Sequence, residues 1–267
     1  MATIAHRTRR SGRRSPLASA ALLLIGLLAT GGAYAAVTAT SSADAASETQ
    51  ITKLTEEGEK LFAANCASCH GLEAQGTEDA PSLIGVGAAA VDFQVGTGRM
   101  PMAASGPQAE QKPVQFTDQQ VAALAAWVAS LGPGPSIPDE SYLQGDGDLP
   151  TGAELFRINC AMCHNVAGAG GALTQGKFAP SLMGVSAKHI YEAMITGPQN
   201  MPVFNDANIT PEDKSAIITY LKYVESNSSP GGLELGSLGP VSEGLFVWIF
   251  ALGGIVAITV WLTAKSN

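Results

Sequence analysis

Hydrophobic positions follow different rules in different parts of the chain. Leu17 to Ala39 runs without a charge and contains Leu22-Leu23-Leu24-Ile25, and Leu245 to Ala264 (LFVWIFALGGIVAITVWLTA) is a second uncharged run, flanked by Glu243 and Lys265. Between them, apolar residues recur at helical spacing. Val121, Leu124, Trp127 and Val128 mark one amphipathic helix over Thr117 to Leu131; Ile217, Tyr220, Leu221 and Val224 mark another over Thr210 to Val224. These open with Thr-Asp and Thr-Pro-Glu-Asp, residues that satisfy the free N–H groups of a first turn. A further helix is predicted before each cysteine pair, with Thr55 and Thr151 as N-caps and Leu61/Phe62 and Leu155/Phe156 turned inward. No Val/Ile-rich alternating run predicts a sheet, so the expected fold is mainly α.

The C-terminal run matches a bilayer's hydrocarbon core, which takes ~20 apolar residues to cross. Trp248 and Trp261 lie near its ends, where indoles prefer the interface. It is expected to span a membrane over 245–264. The N-terminal run has two readings. A basic head (Arg7, Arg9, Arg10, Arg13, Arg14) and the small-x-small site Ala33-Tyr34-Ala35 fit a cleaved signal peptide, while the length also suits a retained anchor. Either way the arginines stay cytoplasmic and the body is exported.

That body is duplicated. Gly58-Glu-Lys-Leu-Phe-Ala-Ala-Asn-Cys-Ala-Ser-Cys-His70 matches Gly152-Ala-Glu-Leu-Phe-Arg-Ile-Asn-Cys-Ala-Met-Cys-His164. Ala80-Pro-Ser-Leu83 then matches Ala179-Pro-Ser-Leu182, Met100-Pro101 matches Met201-Pro202, and Trp127 falls opposite Tyr220. The order of matches never breaks, which predicts two copies of one domain. Trp127 and Tyr220 are expected to pack on Phe62 and Phe156. The Gly- and Pro-rich stretch between the copies breaks helix and strand alike. The expected division is 1–39 head and signal or anchor, 40–131 first domain, 132–150 linker, 151–226 second domain, 227–244 linker, and 245–264 membrane helix.

Composition narrows the function. With 46% apolar and 14% charged residues the chain is no disordered polymer. Its net charge is −8 even with the arginine-rich head included, so the folded body is acidic and offers no surface for nucleic acid. All four cysteines are used in Cys66-Ala-Ser-Cys69-His70 and Cys160-Ala-Met-Cys163-His164. This is the pattern of covalent c-type haem attachment. Residues i and i+3 share a helix face, so both sulfurs of a pair can reach the vinyl groups of one porphyrin. The following His70 or His164 can then turn its ring onto the iron. A dithiol redox motif requires neither the histidine nor a duplicate, and a four-cysteine zinc site spaces its pairs by ~15–20 residues. Two covalently bound c-type haems are therefore expected.

Each iron needs a further ligand. Met100 and Met201, each followed by Pro in a Gly-bearing loop, are the candidate distal ligands, with Met102 a competitor in the first copy. A proximal histidine also needs its second ring nitrogen held, and the backbone carbonyls of Pro81 and Pro180 are the candidates. His189 reads as an inert helix residue. No nucleophile elbow, dinucleotide fingerprint or zinc-protease motif is present, and no residue is expected to be catalytic.

Each copy resembles a class I cytochrome c domain. Two in series, after an Arg-rich apolar head and before one membrane helix, resemble the dihaem cytochrome cc subunit of the actinobacterial menaquinol–cytochrome c reductase, the cytochrome bcc complex. The resemblance implies a membrane-bound relay with its haem domains on the extracytoplasmic side. Its partners would be cytochrome b and Rieske iron–sulfur subunits and a cytochrome aa3-type oxidase. On this view the chain belongs to an oxidoreductase complex without holding a substrate site. It implies Cys66, Cys69, His70 and Met100 at one haem and Cys160, Cys163, His164 and Met201 at the other. Other readings are an independent membrane-anchored dihaem carrier, the cytochrome subunit of a periplasmic dehydrogenase, and a dihaem peroxidase. The last needs an open iron position, which matched methionines oppose.

Overall fold

The computed structural model describes residues 16–104, 106–227 and 240–265. The arginines of the basic head and most of the 227–244 linker lie outside these residues.

Contacts divide the chain into Met1–Lys53 and Leu54–Asn267. Helix α1 spans Pro16–Asn65. Thr55 therefore lies inside a helix rather than at its start, since no Gly or Pro between Gly32 and Gly58 stops the run. Within the first unit, Ser19–Ala35 forms an apolar stretch shorter than the ~20 residues of a bilayer span. In the second unit, Ser242–Lys265 is the one helix among the described residues long and apolar enough to cross a membrane. It consists of α9 (Pro240–Val247), one π-helical turn at Trp248–Leu252, and α10 (Gly253–Lys265).

The body of the second unit is helical and built twice. Its first copy packs the end of α1 against α4 (Asp118–Ser130), with α2 (Ala67–His70) and α3 (Gly87–Gly96) between them in sequence. The second uses α5 (Leu149–Asn159), α6 (Ala161–His164), α7 (Ala187–Thr196) and α8 (Pro211–Ser226). Helix starts are fixed locally. Thr117 and Gln120 form a reciprocal capping box on α4, as Thr210 and Asp213 do on α8. Thr151 does not cap α5. Asp148 takes that place, accepting from the Thr151 backbone N–H at 2.9 Å, and Pro150 lies in the first turn.

In each copy the first and last helices cross at a glycine. A Cβ at Gly58 would strike the carbonyl oxygen of Ala123, and one at Gly152 that of Ala216. This backbone contact brings the neighbouring aromatics together. Phe62 and Trp127 have ring centroids 4.3 Å apart, and Phe156 and Tyr220 5.3 Å. Phe62 and Phe156 are fully buried, worth roughly 1.5–3 kcal/mol each in apolar transfer.

The stretch between the copies is packed rather than loose. The Ala89 N–H donates to the Pro135 carbonyl at 3.1 Å on the first domain. A 3-10 turn at Glu140–Leu143 sets Tyr142 and Leu143 against the second core, and the Gly147 N–H reaches Thr219 Oγ1 at 2.9 Å. The expectation of no sheet needs one amendment. Gly171–Ala172 (β1) pairs antiparallel with Phe178–Ala179 (β2), in a loop that is longer in the second copy.

Candidate functional site

Each cysteine pair sits where one helix ends and a single turn begins. The His70 and Cys69 N–H groups both donate to the Cys66 carbonyl, at 3.0 and 3.1 Å; His164 and Cys163 do the same to Cys160, at 2.9 and 3.1 Å. Cys69 and Cys163 are exposed, Cys66 is half-buried and Cys160 buried, and none is joined in a disulfide. Burial, helped by the neighbouring cysteine, pushes the Cys66 and Cys160 thiols up to about 11.

The Ala-Pro-Ser-Leu repeat closes each loop with the same bonds. His70 Nδ1 lies 2.8 Å from the Pro81 carbonyl oxygen, and His164 Nδ1 lies 3.0 Å from that of Pro180. A carbonyl only accepts, so Nδ1 carries the proton and Nε2 keeps its lone pair. Burial also holds His164 below the usual imidazole range, against the opposing pull of its Pro180 bond. Ser82 and Ser181 then donate their hydroxyls to the Ala74 and Gly168 carbonyls, at 3.2 and 3.5 Å. Leu83 and Leu182 return an N–H to the same two carbonyls, each at 2.8 Å. The serines were visible in the repeat, but their job emerges only with the loop folded.

Met100 packs against the first core, whereas Met102 is exposed. Met201 packs against the second core. Both methionine loops are tied down. The Met100 N–H donates to the Gln94 carbonyl at 2.9 Å, and the Lys112 ammonium donates to the Pro101 carbonyl. In the second copy Phe204 N–H donates to the Met194 carbonyl at 2.8 Å. There the fully buried Lys214 ammonium reaches both Asp206 Oδ1 and the Ile209 carbonyl at 2.6 Å.

Cys160, Cys163, His164, Pro180 and Met201 together line one cavity of about 930 Å³. Soft sulfur and imidazole donors in a large, mostly apolar hollow fit a c-type haem. The first copy brings Cys66, Leu83 and Met100 around its own apolar cluster, with His70 on the adjoining turn.

Sequence reasoning missed the face between the copies. Asp92 on α3 is buried and meets Lys188 of α7, with Nζ 2.7 Å from Oδ2. His189, expected to be inert, lies half-buried with Nε2 3.6 Å from the same oxygen. Its ring stands edge-on to Phe93, centroids 6.2 Å apart. Glu192 is completely buried, and neither of its carboxyl oxygens finds a donor among the described residues. Burial, then the charge of Asp92, pushes Glu192 up to about 9. Burial works against ionisation of Asp92 too, but the nearby His189 ring and Lys188 ammonium outweigh it and hold that carboxyl at about 2. The only visible signal was the run Lys188-His189 beside Glu192, which reads equally well as a solvated helix face.

Comparison with known proteins places both halves. Residues 55–132 match the cytochrome c family, and residues 147–221 match the family of cytochrome c oxidase, cbb3-type, subunit III. Over 268 residues the chain is 44% identical to the cytochrome bc1 complex cytochrome c subunit of Mycobacterium tuberculosis (strain ATCC 25618 / H37Rv), covering 97% of this chain and 95% of that one. The subunits of the same name from Corynebacterium efficiens and Corynebacterium diphtheriae are each 42% identical over 276 residues. Those matches cover 97% of this chain and 93% and 98% of the relatives.

Proposed function

We propose, from the premise that this chain belongs to the family of cytochrome c subunits of the cytochrome bc1 complex, that it is a membrane-anchored dihaem relay. It would pass electrons from a Rieske iron–sulfur subunit to a terminal oxidase of the cytochrome aa3 type, beside a cytochrome b. One observation carries the reading. Each Cys-x-x-Cys-His turn has its histidine fixed through Nδ1 on a proline carbonyl, which leaves Nε2 free as a ligand.

A haem held this way supplies a one-electron centre whose potential is raised by His/Met ligation. The chain's residues do the rest. Cys66 and Cys69, and Cys160 and Cys163, would provide the thioether bonds that keep the group in place. His70 and His164 would supply ring nitrogen to the iron, and Met100 and Met201 would supply sulfur. Lys112 ties the loop just after Met100 through the Pro101 carbonyl, and both methionines pack against their domain cores. Half-buried Met100, packed on the core, is favoured over the exposed Met102 in the first copy. The Ser242–Lys265 helix holds the domains at the membrane, on its extracytoplasmic side.

The test joins mass and partnership. The denatured chain should weigh two covalent haems more than its polypeptide, and mild-detergent purification should bring cytochrome b with it. One haem or none defeats the centres; two haems with no cytochrome b would make this an independent carrier.

A further inference from the structure

The cavity that holds the second Cys-x-x-Cys-His turn is not closed by its own domain. Phe93, Thr97, Arg99, Gln108 and Val114 of the first copy also line it. Gln108 fixes this wall. Its amide donates to the Phe178 carbonyl and accepts from the Phe178 N–H, both at 2.9 Å, on the β1–β2 hairpin of the second copy. Arg99 follows from the same packing. It is 9% exposed, and its guanidinium carbon stands 4.9 Å from the centroid of Phe93. No carboxylate or hydrogen-bonding acceptor among the described residues takes that guanidinium. A desolvated cation with an aromatic face and no anion is costly unless a ligand completes it.

We infer that Arg99 of the first domain is the counter-charge for a haem propionate in the second domain's cavity. The inference rests on the haem reading above and adds a residue that neither repeat shares. The matching position in the second copy, Asn200, carries no charge. Arg99 is also the immediate neighbour of Met100, so one loop presents sulfur to the first centre and charge to the second. A guanidinium forks onto a carboxylate through two parallel N–H bonds. Its positive charge favours the reduced form of the haem that it faces. Arg99 is thus a positioning residue that ties the second centre to the first domain.

Optical redox titration of the full-length, detergent-purified holoprotein tests this, with Arg99→Gln and Arg99→Lys beside the wild type. Met201→His, which trades sulfur for imidazole, identifies the second haem as the one whose midpoint falls furthest. Arg99→Gln should lower that same midpoint by about tenfold in its reduction equilibrium, about 59 mV for one electron, and leave the other in place. Arg99→Lys should recover most of the shift. The propionate bending bands in resonance Raman should move in Arg99→Gln. Unchanged bands and midpoints overturn the inference, as does a shift confined to the first haem. Loss of the second haem from both variants overturns it as well, because lysine keeps the charge. Failure of the underlying reading is separate: the wild type would carry fewer than two haems by mass, or Met201→His would move neither midpoint.

Discussion

Asp92 and Lys188 meet at 2.7 Å, one from each copy of the duplicated domain, with the carboxylate buried between the copies and the lysine side chain 40% exposed. Lys188 supplies one positive charge to a site that also holds Glu192. Burial and the neighbouring Asp92 charge push Glu192 toward its protonated form, and neither of its carboxyl oxygens finds a donor among the described residues.

This arrangement makes stability depend on pH in a defined direction. Glu192, pushed up to about 9, binds a proton in the folded chain that the unfolded chain has released. Stability should therefore fall as pH rises from about 5 to about 9, by at most about 1.4 kcal/mol per pH unit. Asp92, held at about 2, acts at the other end: its contribution is present above the ordinary carboxylate range and lost as pH falls through about 2. Glu192→Gln keeps a neutral donor beside Asp92. Thermal melting of the holoprotein should show the variant flat between pH 5.5 and 8.5, and more stable than wild type at the higher value. A wild-type melt without that slope would return Glu192 to the ordinary carboxylate range.

The crossing glycines predict a sharper effect. Gly58→Ala and Gly152→Ala each drive a methyl into a backbone carbonyl that has no rotamer to escape to. Each should cost about 3 kcal/mol, the upper part of the range for overpacking. The loss should fall on the domain that carries the change, read as denaturant melting of that haem's absorption. Equal tolerance at both sites would mean that the helices do not cross in contact.

What the sequence made legible, and what it hid, divides along physical lines. Local chemistry was readable: the capping residues Thr117 and Thr210, the duplicated Cys-His turns and the aromatic pairs all announce themselves by type and spacing. Helix α3 was not, because Gly87–Gly96 opens on glycine and three alanines with no side-chain cap at its start. Asp92 and Glu192 escaped for a different reason. A charged residue on a helix reads as solvated until another helix covers it, and here the cover comes from the other copy of the domain. Arg99 is hidden in the same way, since the cavity it lines is walled mostly by residues of the other copy.

Distal ligation in the first domain can be settled by contrast. Met100→Ala should remove the first haem's share of the ferric methionine-sulfur charge-transfer band, and Met102→Ala should leave the band whole. The physical ground is burial: Met100 packs on the core that carries Phe62, while Met102 faces solvent. Loss of the band share in Met102→Ala instead would transfer the ligand two residues along.

The membrane helix carries the last prediction. Gly253 and Gly254 follow the π-helical turn at Trp248–Leu252, and an added Cβ at either would meet nothing within 4 Å among the described residues. Nothing among the described residues therefore uses the shallow groove that two adjacent glycines leave between larger side chains. In a bilayer, where helices gain no hydrophobic energy by associating, such small residues admit close packing of another helix. Replacing both by Leu keeps the span apolar, so insertion and both haems should survive. Co-purification with cytochrome b in mild detergent should be lost, because the added side chains hold a partner helix away. If the double variant still brings cytochrome b with it, the helix is only a tether, and assembly rests on the haem domains.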